Sequence, residues 1–123
     1  MTDNKKCILI IEDTPMFLME MVRMLSSKYA VKIAKSGEDG IKITDENNID
    51  LILLDLFLPG ISGFEVLTHL KESNKHSHIP VIIISGSGSD EDTTKGITLG
   101  AADYIVKPFD GNTLLQYIGK FLE

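Results

Sequence analysis

Five side chains that can bind cations or phosphate follow directly on short apolar runs of the sequence. The runs span residues 7–11, 51–54, 81–84 and 103–106, and the side chains that follow them are Glu12, Asp13, Asp55, Ser85 and Lys107. Charged groups are costly at the ends of buried apolar segments unless they are paired or hold a ligand. These positions are therefore candidates for a common functional site.

Three carboxylates brought together in one place repel each other. At an effective dielectric constant near 20, two unit charges about 4 Å apart cost roughly 4 kcal/mol. Such a cluster must retain a proton or bind a cation. Carboxylates without neighbouring His or Cys ligands favour a hard ion, and Mg²⁺ accepts both carboxylate and phosphate oxygens. The sequence therefore predicts a magnesium site.

Phosphoryl transfer suits this set of groups, because its catalysis consists largely of positioning and charge neutralisation. An aspartate can act as the nucleophile and form an aspartyl-phosphate. We predict that Asp55 is this acceptor, that Lys107 supplies the opposing positive charge, and that Ser85 donates a hydrogen bond to a phosphoryl oxygen. Pro108 follows the lysine and favours a cis peptide bond, which would aim Lys107 into the site.

Most of these residues also have a structural interpretation. Glu12 with Asp13 could cap the first helix. Ser85 could form a turn, and Lys107 could be a surface charge. A structural role is harder to assign to Asp55, because apolar residues 51–54 and 56–58 flank it. A buried carboxylate there would need a charged partner such as Lys107.

The elements that would position these residues alternate between two patterns. Continuous apolar runs fit strands of a parallel sheet that are buried on both faces; they are strong at residues 7–11, 51–54 and 81–84 and weaker at 29–34 and 103–106. Between them, apolar residues recur at helical spacing, as at Phe17, Met21, Val22 and Leu25. The alternation predicts an α/β fold, a doubly wound five-stranded parallel sheet with helices on both faces. Ligands of such sheets bind beyond the carboxyl ends of the strands.

Helix starts carry capping residues. Asp13-Thr14-Pro15 offers a capping side chain followed by proline, and Ser62 with Glu65 matches the capping box. Three further caps are predicted, the last of them before a helix over about residues 111–122: Ser36, Ser89 and Asp110. By contrast, Asp50 and Asp103 stand at strand starts, so we expect them at the opposite edge of the sheet.

The length and charge of the chain exclude several classes of function. With 123 residues the chain has room for one domain, and its formal charge of −6 argues against direct binding of nucleic acid. The apolar runs fall short of the roughly 20 residues that cross a bilayer, so no membrane association is expected. The single Cys7 is expected in the core of a protein from a reducing compartment, which indicates a cytoplasmic location.

Two groups of residues receive no chemical role. The methionines of the first predicted helix are expected to fill the helix and the core: Met16, Met19, Met21 and Met24. The histidines lie in or after the third predicted helix, away from the strand ends: His69, His76 and His78.

The order and spacing of the motifs resemble the receiver domain of two-component response regulators over essentially the whole chain. The similarity rests on these segments: Glu12-Asp13, Asp55-Leu56-Phe57-Leu58-Pro59 with Gly63, Ser85-Gly86, Gly100-Ala101-Ala102-Asp103-Tyr104, and Lys107-Pro108-Phe109. It implies a flavodoxin-like fold with strand order 2-1-3-4-5. It also implies a single receiver domain over residues 1–123 with no output domain, either a stand-alone, chemotaxis-regulator-like protein or a piece of a larger regulator.

The resemblance implies the chemistry of the site as well. Asp55 takes a phosphoryl group from a phosphohistidine on a sensor histidine kinase or a phosphotransfer protein, so the chain is a signalling switch and not a conventional enzyme. Mg²⁺, or Mn²⁺ in its place, is bound by Asp13, Asp55 and the backbone carbonyl of Phe57, with Glu12 acting through water. The phosphoryl group is contacted by Lys107, Ser85 and Gly86.

A conformational switch is implied too. Ser85 moves toward the phosphate while Tyr104 turns inward, which couples the site to the surface of the fourth helix, fifth strand and fifth helix. A downstream protein is expected as target, and the chain is expected to be a monomer or a weak phosphorylation-dependent dimer. Ser85 and Gly86 replace the more frequent threonine and alanine, which predicts a flexible loop. The bulky Phe57 is predicted to shield the acyl phosphate from water.

Three other classes stay open at this point. A phosphatase of the haloacid-dehalogenase type usually has a second aspartate where Phe57 stands. A flavodoxin-like electron carrier needs a phosphate-binding loop where this chain has Glu12 and Asp13. A receiver-like module that is never phosphorylated commonly lacks an acidic residue or the lysine, whereas this chain keeps Asp13, Asp55 and Lys107.

Overall fold

Strands and helices alternate strictly along the chain in a computed structural model that describes residues 5–123. The elements are β1 (Cys7–Ile11), α1 (Pro15–Leu25), β2 (Ala30–Ala34), α2 (Gly37–Glu46), β3 (Leu51–Asp55), α3 (Gly63–Glu72), β4 (Val81–Ser85), α4 (Asp90–Thr98), β5 (Asp103–Val106) and α5 (Gly111–Leu122). The predicted alternation is confirmed. The second strand begins at Ala30 and not at Tyr29, because Tyr29 still bonds through its N–H to the last turn of α1.

The five strands form one parallel sheet in the order β2-β1-β3-β4-β5, so the predicted fold class and strand order are confirmed. The register pairs Asp55 with Ile84 and Ser85 with Val106. All strands therefore end at the same edge of the sheet, which we call the C-terminal rim.

Alternate side chains of the strands enter two separate cores. Ile8 and Ile10 of β1 pack with α1 and α5, whereas Leu9 and Ile11 of the same strand pack with α3 on the other face. The three central strands β1, β3 and β4 are buried almost throughout. Each fully buried aliphatic side chain contributes about 1.5–3 kcal/mol relative to an exposed one, so the central strands hold the C-terminal rim rigidly.

Four predicted caps are confirmed. The side chain in each case accepts a hydrogen bond from the backbone N–H three residues later: Ser36, Ser62, Ser89 and Asp110. Ser62 and Glu65 form the full capping box. The cap predicted at α1 is wrong in part, because Thr14 makes no side-chain capping bond, although Pro15 does open the helix.

The methionines of α1, expected to fill the helix and the core, divide between the helix surface and the core. Met16 is 76% exposed and Met19 is 62% exposed, whereas Met21 is fully buried. One face of α1 packs on the sheet, and Leu18, Met21 and Leu25 occupy it, which turns the other two methionines outward. Cys7 is also only partly buried, because it opens its strand at the edge opposite the C-terminal rim.

His76 has a structural partner that its sequence position does not indicate. The ring is buried, and its Nε2 lies 2.7 Å from Oδ1 of Asp45, which joins the loop after α3 to α2. Within residues 5–123, every helix is too short or too polar to traverse a lipid bilayer.

Candidate functional site

Three carboxylates converge at the C-terminal rim. Glu12 and Asp13 follow β1, and Asp55 is the last residue of the neighbouring β3. One oxygen from each of the three lies within 4.8 Å of the others. Glu12 and Asp55 are almost fully buried, whereas Asp13 is exposed. The strand ends thus bring these acidic residues together.

Protein donors already occupy both oxygens of Glu12. Its Oε1 accepts a hydrogen bond from Nζ of Lys107 at 2.7 Å, and its Oε2 accepts the backbone N–H groups of Asp13 and Thr14 at 3.1 Å each. Glu12 therefore also satisfies backbone donors at the entry to α1, as the structural interpretation of its sequence position expects. Its carboxylate is fixed in place by these contacts.

Lys107 approaches the carboxylates along the C-terminal rim from the edge strand β5. It follows β5, its Nζ lies 3.9 Å from Oδ2 of Asp55, and its side chain is 22% exposed. The Lys107-Pro108 peptide bond is cis. The ammonium is therefore within reach of any group bonded to Asp55.

The two buried carboxyls differ in their affinity for a proton. Burial and the adjacent charge of Glu12 raise the pKa of Asp55 to about 6, against the opposing effect of Lys107. Burial also disfavours the charged form of Glu12, but its hydrogen bonds from Lys107 and Thr14 outweigh that effect and lower its pKa. Glu12 thus keeps its charge while Asp55 ionises reluctantly, so a cation beside Asp55 would stabilise its charged form.

The donor set fits a hard divalent ion. It consists of carboxylate oxygens, and Mg²⁺ typically takes one or two of these and keeps several waters. Because both oxygens of Glu12 already accept protein hydrogen bonds, the exposed Asp13 and the terminal Asp55 are the carboxylates best placed to contact an ion directly.

Backbone geometry around Asp55 is tight. The N–H of Phe57 donates to Oδ1 of Asp55 at 3.3 Å, and the N–H of Gly63 donates to the Leu56 carbonyl at 2.9 Å. A Cβ at Gly63 would strike the carbonyl oxygen of Asp55. The Phe57 ring is 61% exposed, and its proposed shielding of an acyl phosphate stays a prediction.

The loop after β4 connects the site to Tyr104. The Ser85 side chain is fully buried, and its Oγ accepts the Ser87 N–H at 3.1 Å. The Tyr104 hydroxyl donates to the Ser87 carbonyl at 2.6 Å. Ser87 also donates through Oγ to Oδ2 of Asp92 in α4 at 2.6 Å. Gly86 is exposed, and a Cβ added there would meet nothing within 4 Å.

Sequence reasoning missed the contacts that two residues of this region make. Ser87 links Ser85, Tyr104 and α4, and a serine among serines and glycines gives no signal of that role. Phe17, which the helical spacing places in the core, is only half-buried and holds its ring centroid 4.2 Å from Nζ of Lys107. A contact between residues so distant in sequence leaves no periodic pattern.

Comparison with known proteins shows which family the chain belongs to. Residues 8–119 match the family model of the response regulator receiver domain. The chain is 40% identical over 109 residues to a probable cyclic di-GMP phosphodiesterase from Vibrio cholerae, covering 88% of this chain and 25% of that protein. It is 34% identical over 116 residues to protein PilH from Pseudomonas aeruginosa, covering 94% and 96% of the two chains.

The chain is also similar in structure to solved receiver domains. The beryllofluoride-activated receiver domain of DrrB, a response regulator of Thermotoga maritima, superposes with a TM-score of 0.86 at 31% identity, covering 96% of this chain and 97% of that one. The chain spans a quarter of the phosphodiesterase but nearly all of PilH, so the receiver unit is what these relatives share. From the matched residues and the fold together, this chain belongs to the family of two-component response regulator receiver domains.

Proposed function

We propose that this chain is a magnesium-dependent phosphoacceptor switch, in which Asp55 takes a phosphoryl group from the phosphohistidine of a sensor histidine kinase or a phosphotransfer protein. The observation that carries the proposal is the approach of Glu12, Asp13 and Asp55 within 4.8 Å, with Nζ of Lys107 3.9 Å from Asp55. Receiver domains as a family are phosphoacceptor signalling domains that act with such partners.

The transfer is a displacement at phosphorus. An ionised Asp55 oxygen forms the new P–O bond while the P–N bond to the donor histidine breaks. The bonding pair stays on the imidazole nitrogen, which then takes up a proton. Since the pKa of Asp55 is about 6 without a metal ion, most of the carboxyl is ionised and nucleophilic near neutral pH. The chain is consumed as an acceptor in each event, which makes it a switch and not a conventional enzyme.

Bound Mg²⁺, or Mn²⁺ in its place, supplies positive charge that neutralises the carboxylates and the phosphoryl oxygens. Asp13, Asp55 and the backbone carbonyl of Phe57 would ligate the ion, and Glu12 would act through water. Lys107 orients the phosphoryl group from the opposite side, and Ser85 and Gly86 contact its remaining oxygens. The fixed orientation of Glu12 supports its indirect role, since its oxygens already accept three protein hydrogen bonds.

The signal leaves the site through the loop at residues 85–89. A phosphoryl group adds close to two negative charges and three acceptor oxygens. Movement of the Ser85 side chain toward one of these oxygens would carry its Oγ away from the Ser87 N–H that it now accepts. Because Ser87 also contacts Tyr104 and Asp92, its displacement would move β5 and α4 together. The loop is thus the bistable element that the phosphate biases.

Output is proposed to occur at the surface of α4, β5 and α5. Three large apolar side chains are partly exposed there: Ile97, Val106 and Phe121. A protein target, and not nucleic acid, suits this surface in a chain of formal charge −6. We further propose one receiver unit over residues 1–123, acting as a monomer or a weak dimer on phosphorylation, in the cytoplasm, where the single thiol Cys7 stays reduced.

Acetyl phosphate with Mg²⁺ tests the proposal directly. The wild-type chain is expected to gain the mass of one phosphoryl group, and Asp55→Asn is expected to gain none, as read by intact mass spectrometry. Asp103→Asn is the matched control, because Asp103 opens β5 at the edge opposite the C-terminal rim and bonds to the N–H of Tyr104. Loss of modification in Asp103→Asn, or equal modification of Asp55→Asn, would contradict the assignment.

A further inference from the structure

The flexible side chain of Lys107 has to be held in one position. Its ammonium ends a stem of four carbons with many accessible rotamers, yet the group has to stay within reach of Asp55. In the structure it has three neighbours: Oε1 of Glu12 at 2.7 Å, Oδ2 of Asp55 at 3.9 Å and the ring centroid of Phe17 at 4.2 Å. The first two are carboxylates of the acidic cluster, whereas the third belongs to α1.

The Phe17 ring is itself held in a fixed orientation. It lies in the first turn of α1, is half-buried, and meets the Phe109 ring edge to face, with centroids 5.8 Å apart and planes at 90°. Such pairs are a favoured arrangement of aromatic rings. The face of Phe17 is thereby presented to the lysine, and its negative quadrupole attracts the ammonium.

We propose that Phe17 is a positioning residue for Lys107, an inference that rests on the phosphoacceptor function proposed above. With its centroid 4.2 Å from Nζ, the ring adds a third contact to the two carboxylates, and loss of that contact disfavours rotamers that would carry Lys107 away from Asp55. It does so without accepting a conventional hydrogen bond, so the N–H groups of Lys107 stay available to Glu12 and to an oxygen bonded to Asp55.

Glu12 alone is a weaker anchor for this purpose. Once Lys107 turns to a phosphoryl oxygen, the short contact to Oε1 of Glu12 has to lengthen or be shared. The contact with the ring depends on distance from the ring face and less on the direction of any one N–H bond, so it persists through that movement. Phe17 therefore acts on Lys107 both before and after transfer.

Phe17→Leu and Phe17→Tyr separate the aromatic face from apolar bulk. Leucine keeps an apolar side chain but has no ring, whereas tyrosine keeps the ring. In NMR spectra, the ε-methylene protons of Lys107 are expected to be shifted upfield by the ring in wild type and in Phe17→Tyr, and to lose the shift in Phe17→Leu. This readout reports the contact itself, independently of phosphorylation.

The rate of modification by acetyl phosphate with Mg²⁺ gives the functional readout. Phe17→Leu is expected to lower the rate constant roughly 2- to 30-fold, and Phe17→Tyr to restore it. In a Lys107→Gln background the same substitution is expected to have no further effect. Phe64→Leu is the matched control, since Phe64 is a half-buried phenylalanine with the ammonium of Lys95 4.5 Å from its ring, and it packs on the face of the sheet opposite to Phe17.

Three results would overturn the inference. They are Lys107 protons without a ring shift in the wild type, an equal slowing by Phe17→Leu with and without Lys107, and a Phe17→Leu rate equal to that of wild type. A wild-type chain that takes no phosphoryl group would overturn the proposed function as well, whereas failure of the Phe17 variants alone leaves the proposed function standing.

Discussion

Nζ of Lys107 lies 2.7 Å from Oε1 of Glu12, a contact that joins the end of the last strand to the end of the first across 95 residues of sequence. The pair places a positive charge beside the buried carboxylates that the fold brings together. Lys107 lowers the pKa of Glu12 and partly offsets the rise in the pKa of Asp55.

Asp55→Asn is expected to stabilise the metal-free protein at neutral pH, by up to about 3 kcal/mol. The pKa of Asp55 rises from 3.8 to about 6 on folding, so the folded state binds the proton more tightly and the wild type loses stability as the pH rises through that interval. The difference between variant and wild type should therefore be full above pH 6 and should close toward pH 4. Urea unfolding in the presence of a chelator measures it, and a difference independent of pH would contradict the assignment.

Mg²⁺ is expected to raise the melting temperature of the wild type, because an ion that binds only the folded state stabilises it by mass action. At an ion concentration 100 times the dissociation constant, the free energy of unfolding rises by about 2.7 kcal/mol. Asp13→Asn should lose most of this effect. Asp39→Asn, an exposed acid of α2, should keep it. Thermal scans with and without chelator, at constant ionic strength, compare the three chains. An equal response of all three would place the ion elsewhere.

Lys107→Met is expected to destabilise the fold by about 1–3 kcal/mol, because it leaves the buried Glu12 without its ammonium partner. Adding Glu12→Gln to the same chain should recover part of the loss, since a neutral amide needs no cation. A double-mutant cycle by urea unfolding gives the coupling energy of the pair. Strictly additive effects would show that the 2.7 Å contact contributes nothing to stability.

Gly86→Ala is expected to stabilise the fold by about 0.4–1 kcal/mol, because alanine restricts the unfolded chain and its Cβ meets no atom within 4 Å. Gly63→Ala should have the opposite sign, since its Cβ would strike the Asp55 carbonyl. Urea unfolding of both variants tests the contrast. A destabilising Gly86→Ala would mean that the loop after β4 requires glycine.

Much of the site followed from sequence because its members stand where apolar strands end. Parallel strands share one rim, so Glu12, Asp13, Asp55 and Lys107 had to meet there once the strands were assigned. The strands were easy to assign because the central ones are buried on both faces and are apolar almost without interruption.

Features that depend on which way a side chain points across elements could not be found in this way. Helical spacing did not reveal that Met16 and Met19 face outward, because the phase of α1 is set by its packing on the sheet. The pairing of His76 with Asp45 and the contact of Phe17 with Lys107 likewise depend on tertiary placement. Such contacts leave no local pattern in the chain.

The most direct test of the account is a crystal structure of the chain with Mg²⁺ and beryllofluoride. A beryllofluoride group is expected to be bonded to the Asp55 carboxylate, with Lys107 and Ser85 in contact with its fluorides. One Mg²⁺ is expected to be held by Asp13, Asp55 and the backbone carbonyl of Phe57. An ion bound at another cluster, or an unmodified Asp55 in crystals that contain both reagents, would contradict it.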